Sequence, residues 1–235
     1  MAKSYLNLVN EVLKRVREPQ VGTISANTYS ALVSTFVNDA KRKVEDAWVW
    51  SSLRAKVEFN LAPSTTSYDL GSASVVGAGN ELNERSTILM HPDKGPQAFD
   101  VTPDNMSELF MVYMADVDRQ TALLTAGETY QSPSHFALRP SNDSIFVELY
   151  ETPQIVKNWR MFFKRPQAEL ESELDEIMVP WLPVVMLATN YALNEKGEEV
   201  GLPGNEAEKK YLDVLSDAIS LDSQYSADSM TFTLV

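Results

Sequence analysis

Apolar residues in this chain change their spacing twice, and that change limits the fold more than any other feature. Tyr5, Leu8, Val9, Val12, Leu13 and Val16 recur at the i, i+3, i+4 interval of a helix with one buried stripe. Tyr29, Leu32, Val33, Phe36, Val37 and Ala40 repeat the same offsets, and Val44 and Ala47 continue them. The spacing predicts one helix from Ser4, its N-cap, to Arg17, stopped by Pro19. A second runs from about Asn27 to Trp48, with Asn38, Arg42, Glu45 and Asp46 on its polar face. Matching stripes imply that the two helices face each other as a hairpin.

From Arg54 the period becomes that of strands. "RAKVEFNL" and "TSYDL" alternate around the turn composition "APSTT". "GSASVVGAGNELNE" reads as an exposed loop, "RSTILMH" as a strand, and "PDKGP" as a turn. "DVTPDNMSELFMVYM" reads as a short helix starting near Thr102 or Asp104. "HFALRPSNDSIFVELYETP" is strand, turn, strand, and "NWRMFFKRP" is one more strand. After the acidic run "ELESELDEI", helical spacing returns. "VPWLPVVMLATNYALNEKG" is apolar on most faces and should be the most buried helix, with Gly197 closing it. The last helix starts at Asn205, with Glu208 at the capping-box position, and buries Ala207, Tyr211, Val214, Leu215, Ala218 and Ile219. Met230, Phe232 and Leu234 then alternate in an extended tail. The expectation is therefore an α+β fold. Residues 1–54 and 167–225 form a four-helix domain from both chain ends, residues 55–166 an inserted β-rich domain, and 226–235 an extended tail.

Composition narrows the function. The 235 residues carry a net charge of −13, which disfavours a role as a sequence-specific DNA binder. The chain has no cysteine, which removes disulfides, thiolate metal sites and a cysteine nucleophile. No run is long and apolar enough to span a membrane, and the first helix lacks the apolar core of a signal peptide. There is no phosphate-binding loop and no nucleophile elbow. Gly71, Gly77 and Gly79 approach a dinucleotide fingerprint, but no helix pattern follows them. His91 and His135 each stand alone, which reads as strand-end or loop histidines. Glu169, Glu171, Glu173, Asp175 and Glu176 lack the turn glycine of a calcium loop and read as a solvated charge run. Arg160, Lys164 and Arg165 are interleaved with Trp159, Phe162 and Phe163. That pattern can grip a nucleic-acid strand, but a half-buried β-strand explains it more simply. No catalytic residue, cofactor or metal is expected.

The tail and the Trp48/Trp50 pair carry more. An alternating strand without a neighbour can add to a partner's sheet, so Met230, Phe232 and Leu234 are candidate partner-binding anchors. If the second helix reaches Trp50, the two indoles leave opposite borders of its stripe; if it stops earlier, Trp50 starts the β unit. Neither case gives one flat stacking platform. Both indoles read as packing anchors at the joint, with loss of Trp48 to alanine expected to cost about 3–5 kcal/mol.

The order of these elements resembles head-to-tail adaptor proteins of short-tailed bacteriophages, the tail tubular protein A family among them. The resemblance lies in Arg17-Glu18-Pro19-Gln20-Val21 after the first helix, in Trp48-Val49-Trp50 after the second, in "PSHFALRPSNDSIFVELYETP" and in the C-terminal helix pair. His135-Phe136 and Glu151-Thr152-Pro153 depart from the family's pattern there. The resemblance implies a virion protein at the head–tail junction, made in the host cytoplasm. It implies a twelve-fold ring beneath the portal protein that extends the channel for double-stranded DNA. It also implies docking of the next tail component, a nozzle or tail tube protein, with no membrane anchor. Two rivals stand beside it: a virion-associated cell-wall hydrolase using a carboxylate pair, and a tail completion or capsid-stabilising protein that does not contact the portal.

Overall fold

The computed structural model describes residues 3–91, 95–102, 105–108, 110–111, 133, 135–141, 143–149, 152–197 and 202–224. The fold is α+β, with helices and largely antiparallel sheets. It divides into two compact units. One holds the residues up to Leu53 together with those from Gln167 onward, and the other holds Arg54–Pro166.

The helical unit contains α1 (Tyr5–Arg15) and α2 (Thr28–Ala47). Tyr5, Leu8, Val9, Val12 and Leu13 of α1 are buried, as their spacing predicts. On α2, Val33, Val37, Ala40 and Val44 form the buried stripe. Asn27 caps α2 through a capping box: its side chain accepts from Ser30 N at 2.7 Å while Ser30 Oγ accepts from Asn27 N at 3.2 Å. Ser4 stands at the α1 N-cap, but its side chain makes no capping bond. Instead the amides of Tyr5 and Leu6 donate to the carbonyls of Asp175 and Glu173, so the segment near residue 174 satisfies the orphan donors of α1.

Two later helices complete this unit, α4 (Trp181–Glu195) and α5 (Leu202–Ser223). The apolar α4 touches α1, α2 and α5, so its mixed faces each find a neighbour. Gly197 follows α4 with φ +78°, the left-handed turn that glycine adopts without strain. Helix α5 begins at Leu202, three residues before the expected Asn205, because Pro203 falls in a first turn that needs no amide. Only Tyr211 on its expected face is fully buried; Val214, Leu215, Ala218 and Ile219 are half-buried.

The β unit is two facing sheets. One has the order β1 (Arg54–Leu61), β11 (Lys157–Lys164), β6 (Ala98–Thr102), β7 (Asn105–Glu108), with β3 (Thr87–Ile88) also on β11. The other runs β2 (Ser67–Asp69), β10 (Ser144–Leu149), β9 (His135–Ser141), β8 (Phe110–Met111), the last pair being parallel. β4 (Met90–His91) and β5 (Gly95–Pro96) form a separate pair. Alternate residues Val57, Phe59 and Leu61, Trp159, Met161 and Phe163, and Val147 and Leu149 meet in one core. Each such fully buried side chain contributes roughly 1.5–3 kcal/mol.

Two expectations fail here. The segment expected to be a helix near Thr102 and Asp104 forms β6, β7 and β8. β6 has β11 on one edge and β7 on the other, so ladder bonds replace helical ones. Thr102 N and Oγ1 both donate to Asp100 Oδ1 within β6, where a helix start was expected. Asp104 lies outside the described residues. The glycine-rich stretch is not a bare loop either: α3 (Ala73–Val76) forms within it, and Val76 and Leu82 enter the core. Gly71 is required because a Cβ there would lie 2.3 Å from Ser144 Cβ.

Glu11 on α1 accepts from Lys3 at 2.9 Å and from Arg15 at 3.0 Å, and these bonds hold its carboxyl below the ordinary carboxylate value. A depressed acid stabilises the fold above its unfolded pKa, and that contribution is lost as pH falls through the folded value. Glu11→Gln should therefore lower stability by at most about 1 kcal/mol near neutrality, the range of exposed ion pairs. Urea unfolding at pH 7 and at pH 3 checks this: the wild-type advantage should vanish in acid.

Candidate functional site

The chain leaves the helical unit at Leu53 and re-enters it at Gln167, and the polar groups buried there hold both strands of that crossing. At the exit, α2 ends at Ala47 because Trp48 turns extended, with φ −151° and ψ 160°. Trp50 is fully buried, and its Nε1 donates to Val44 O at 2.7 Å, which satisfies one of the carbonyls orphaned at the helix end. Trp48 is only half-buried, with Nε1 donating to Asp222 Oδ2 at 3.0 Å. Asp222, near the end of α5, also accepts from Ser51 N at 3.1 Å and from the Ser51 hydroxyl. The two indoles thus serve different partners and make no shared platform. Trp50 is the more buried of the two anchors, so the larger packing loss is expected there. Ala47, expected in the stripe, is exposed. Pro19, expected as a structural anchor that stops the first helix, is exposed and follows the end of α1 at Arg15.

At the re-entry, Lys41 is the key residue. Its side chain is 2 % exposed, and its Nζ donates to Glu45 Oε1 at 3.1 Å, Gln167 O at 2.9 Å and Ala168 O at 2.8 Å. An ammonium group has three donors, and these bonds use three. Asn38 extends the grip: its Nδ2 donates to Leu170 O at 3.1 Å and its Oδ1 accepts from Leu170 N at 3.0 Å. Tyr5 joins through its hydroxyl, which donates to Ser34 O at 2.8 Å and accepts from Asn38 Nδ2 at 3.1 Å; burial pushes that phenol up. Of the four residues expected on the polar face, Arg42 and Asp46 are exposed, whereas Glu45 is buried and Asn38 half-buried. The acidic run is likewise not merely solvated. Glu173 Oε1 accepts from Ile24 N, and Asp175 Oδ2 accepts from Glu171 N and Ser172 N.

The basic and aromatic residues near Arg160 separate across β11. Trp159, Met161 and Phe163 face the core, while Arg160 pairs with Glu58 at 2.7 Å and Arg165 donates to Gly79 O. Both histidines lie in strands, His91 in β4 and His135 at the start of β9. Among the described residues no three His, Asp or Glu side chains converge as metal ligands. The anchors Met230, Phe232 and Leu234 lie outside the described residues. A cleft of about 490 Å³ between α2 and α4 is lined by Phe36, Asp39, Tyr191, Asn194 and Glu195. No helix of the described residues is long and apolar enough to cross a membrane.

No protein-family model matches the chain, and no curated protein is significantly similar to it. Lys41 and Asp222 are the residues that the sequence concealed. Lys41 and Glu45 show the i, i+4 spacing of an ordinary surface pair, and nothing near Asp222 signals its contact 171 positions away.

Lys41→Met should remove the cation that faces buried Glu45 and cost about 3–5 kcal/mol, whereas the pair Lys41→Met with Glu45→Leu should recover most of it. Trp50→Ala should also cost about 3–5 kcal/mol, and Trp48→Ala clearly less. Chemical denaturation of the four variants checks both orders of effect.

Proposed function

We propose that the protein is a structural head-to-tail adaptor of a short-tailed bacteriophage virion. It assembles as a twelve-fold ring under the portal protein, extends the DNA channel and presents a platform for the next tail component. The observation that supports this reading most is how the buried polar groups are used. Lys41, Asn38 and Asp222 each bind the chain's own backbone where the β unit is inserted. The bonds from Lys41 and to Asp222 are charge-assisted, and all of them hold backbone of the helical unit next to the points where the chain leaves and re-enters it. Such clamps suit a part of an assembly that must hold its shape while DNA moves past it.

The charge balance adds to this. With a net charge of −13, a ring of these subunits repels a polyanion and lets it slide. The C-terminal residues Met230, Phe232 and Leu234 are proposed to dock on the portal or on a neighbouring subunit by strand addition.

Electron micrographs of the purified protein, alone and with portal protein, test the proposal. A twelve-fold ring with a central hole, seated on the portal, is the expected result. The enzymatic rival would need two carboxylates across a cleft, and Asp39 and Glu195 line one. Clearing of a peptidoglycan suspension by the protein, abolished by Asp39→Asn or Glu195→Gln, would overturn the adaptor reading.

A further inference from the structure

Helix α1 carries complementary features at its two ends. Its N-terminal end is covered by the segment 169–176, whose Leu174 is 82 % exposed, the largest exposure among the described large apolar side chains. A leucine so placed loses favourable burial unless something covers it. Glu169, Glu171 and Glu176 are exposed around it. Glu173 and Asp175 turn inward and hold the loop's shape through the bonds to Ile24, Glu171 and Ser172. The loop is therefore a preformed acidic knob with an apolar tip, which lowers the ordering cost of docking it.

The C-terminal end of α1 borders a cleft of about 450 Å³ shared with α4 and α5. Arg15, Arg17 and Lys210 line it, over a floor that includes Met186, Leu193 and Ala207. Glu11 engages Arg15, but Arg17 and Lys210 have no ion-pair partner among the described residues. Glu206 is the single acid in the lining. Arg17 has φ +59°, the left-handed cap that ends α1, with Glu18 N donating to Leu13 O at 2.9 Å. A basic cleft with an apolar floor is a notable feature in so acidic a chain.

We infer that the Leu174 loop of one copy docks in the basic cleft of the next, with Leu174 on the apolar floor and Glu169, Glu171 and Glu176 against Arg17 and Lys210. The occupant is a second copy of this chain because sign and shape match, with acid and apolar tip on one side and base and apolar floor on the other. Knob and cleft lie at opposite ends of a helix about 16 Å long. A contact between two different patches is heterologous, so it propagates from copy to copy, as a ring where its rotation closes and as an open filament where it does not. The inference rests on the reading of the protein as a self-assembling adaptor and supplies its lateral contact.

The absence of cysteine gives a clean background for the test. The full-length chain carrying L174C and A207C together should form a reducible ladder of multimers under mild oxidation. A ladder no stronger than that of a control pair, L174C with S220C on the exposed side of α5, overturns the inference. R17E with K210E should lower the ladder yield about ten-fold, as facing like charges do. Adding E169K and E171K to that chain should restore it; yields indifferent to both changes also overturn the contact. The two proposals fail separately. Portal-bound rings without the ladder reject this interface and leave the adaptor standing. A ladder without rings or portal binding keeps the interface and rejects the adaptor.

Discussion

The helical unit depends on one buried cation. Lys41 sits among side chains that exclude water, and an ammonium in that position is tolerated only if it is paired and fully hydrogen-bonded. Glu45 supplies the charge and the carbonyls of Gln167 and Ala168 supply the remaining acceptors. Those carbonyls belong to the first two residues after the β unit. The insertion point is therefore chosen by electrostatics as well as by packing. If residues 167 and 168 move away, the cation loses two of its acceptors in a dry site. Asn38 repeats this on Leu170, and the carbonyls of Glu173 and Asp175 then fall on the open amides of α1. One ordered segment thus ties α2 to α1 by a series of polar contacts, each of which fixes the next.

Burial of this kind explains which features could be read in the sequence. The stripes of α1 and α2 were legible because apolar spacing alone sets them: Leu8, Val12, Val33 and Val37 go where a 3.6-residue period puts them. The strands β1, β10 and β11 were legible for the same reason at period two. The clamps were not. Lys41, Asn38 and Glu45 have the composition of a solvated helix face. Their burial follows from a segment about 130 residues away in sequence folding over them. Local pattern reports local preference, and a long-range polar contact leaves no periodic trace.

The misread stretch from Asp100 to Met111 shows the opposite failure. Its local signals favour a helix start, with Thr102 and Asp104 placed ahead of an apolar group. The sheet decides otherwise, because β11 leaves an edge that β6 fills. Buried Asp100 faces Lys157 at 3.2 Å across that edge. Tertiary hydrogen bonds outweigh helix preferences, which amount to less than about 1 kcal/mol per residue. Trp48 and Trp50 fall between these cases. Their identity as large anchors was legible, but the sharing of roles between them was set by where α2 stops. The indole of Trp50 reaches back to Val44 O, and that of Trp48 turns to Asp222.

Charge distribution carries the synthesis further. An average of −13 per chain suggests a uniformly repulsive surface, yet charge is unevenly placed at the two ends of α1. Acids with no ion pair among the described residues gather beside the N-terminal end of α1, around exposed Leu174, while Arg15, Arg17 and Lys210 gather beside its C-terminal end. The arrangement follows the helix macrodipole, since cations at the C-terminal end meet its negative pole. At the N-terminal end the acids likewise meet the positive pole. The dipole therefore favours the same segregation within one chain that would favour contact between chains. Under the proposed contact, a surface built this way would repel polyanions on average and would still give each copy a polar axis along which the next aligns.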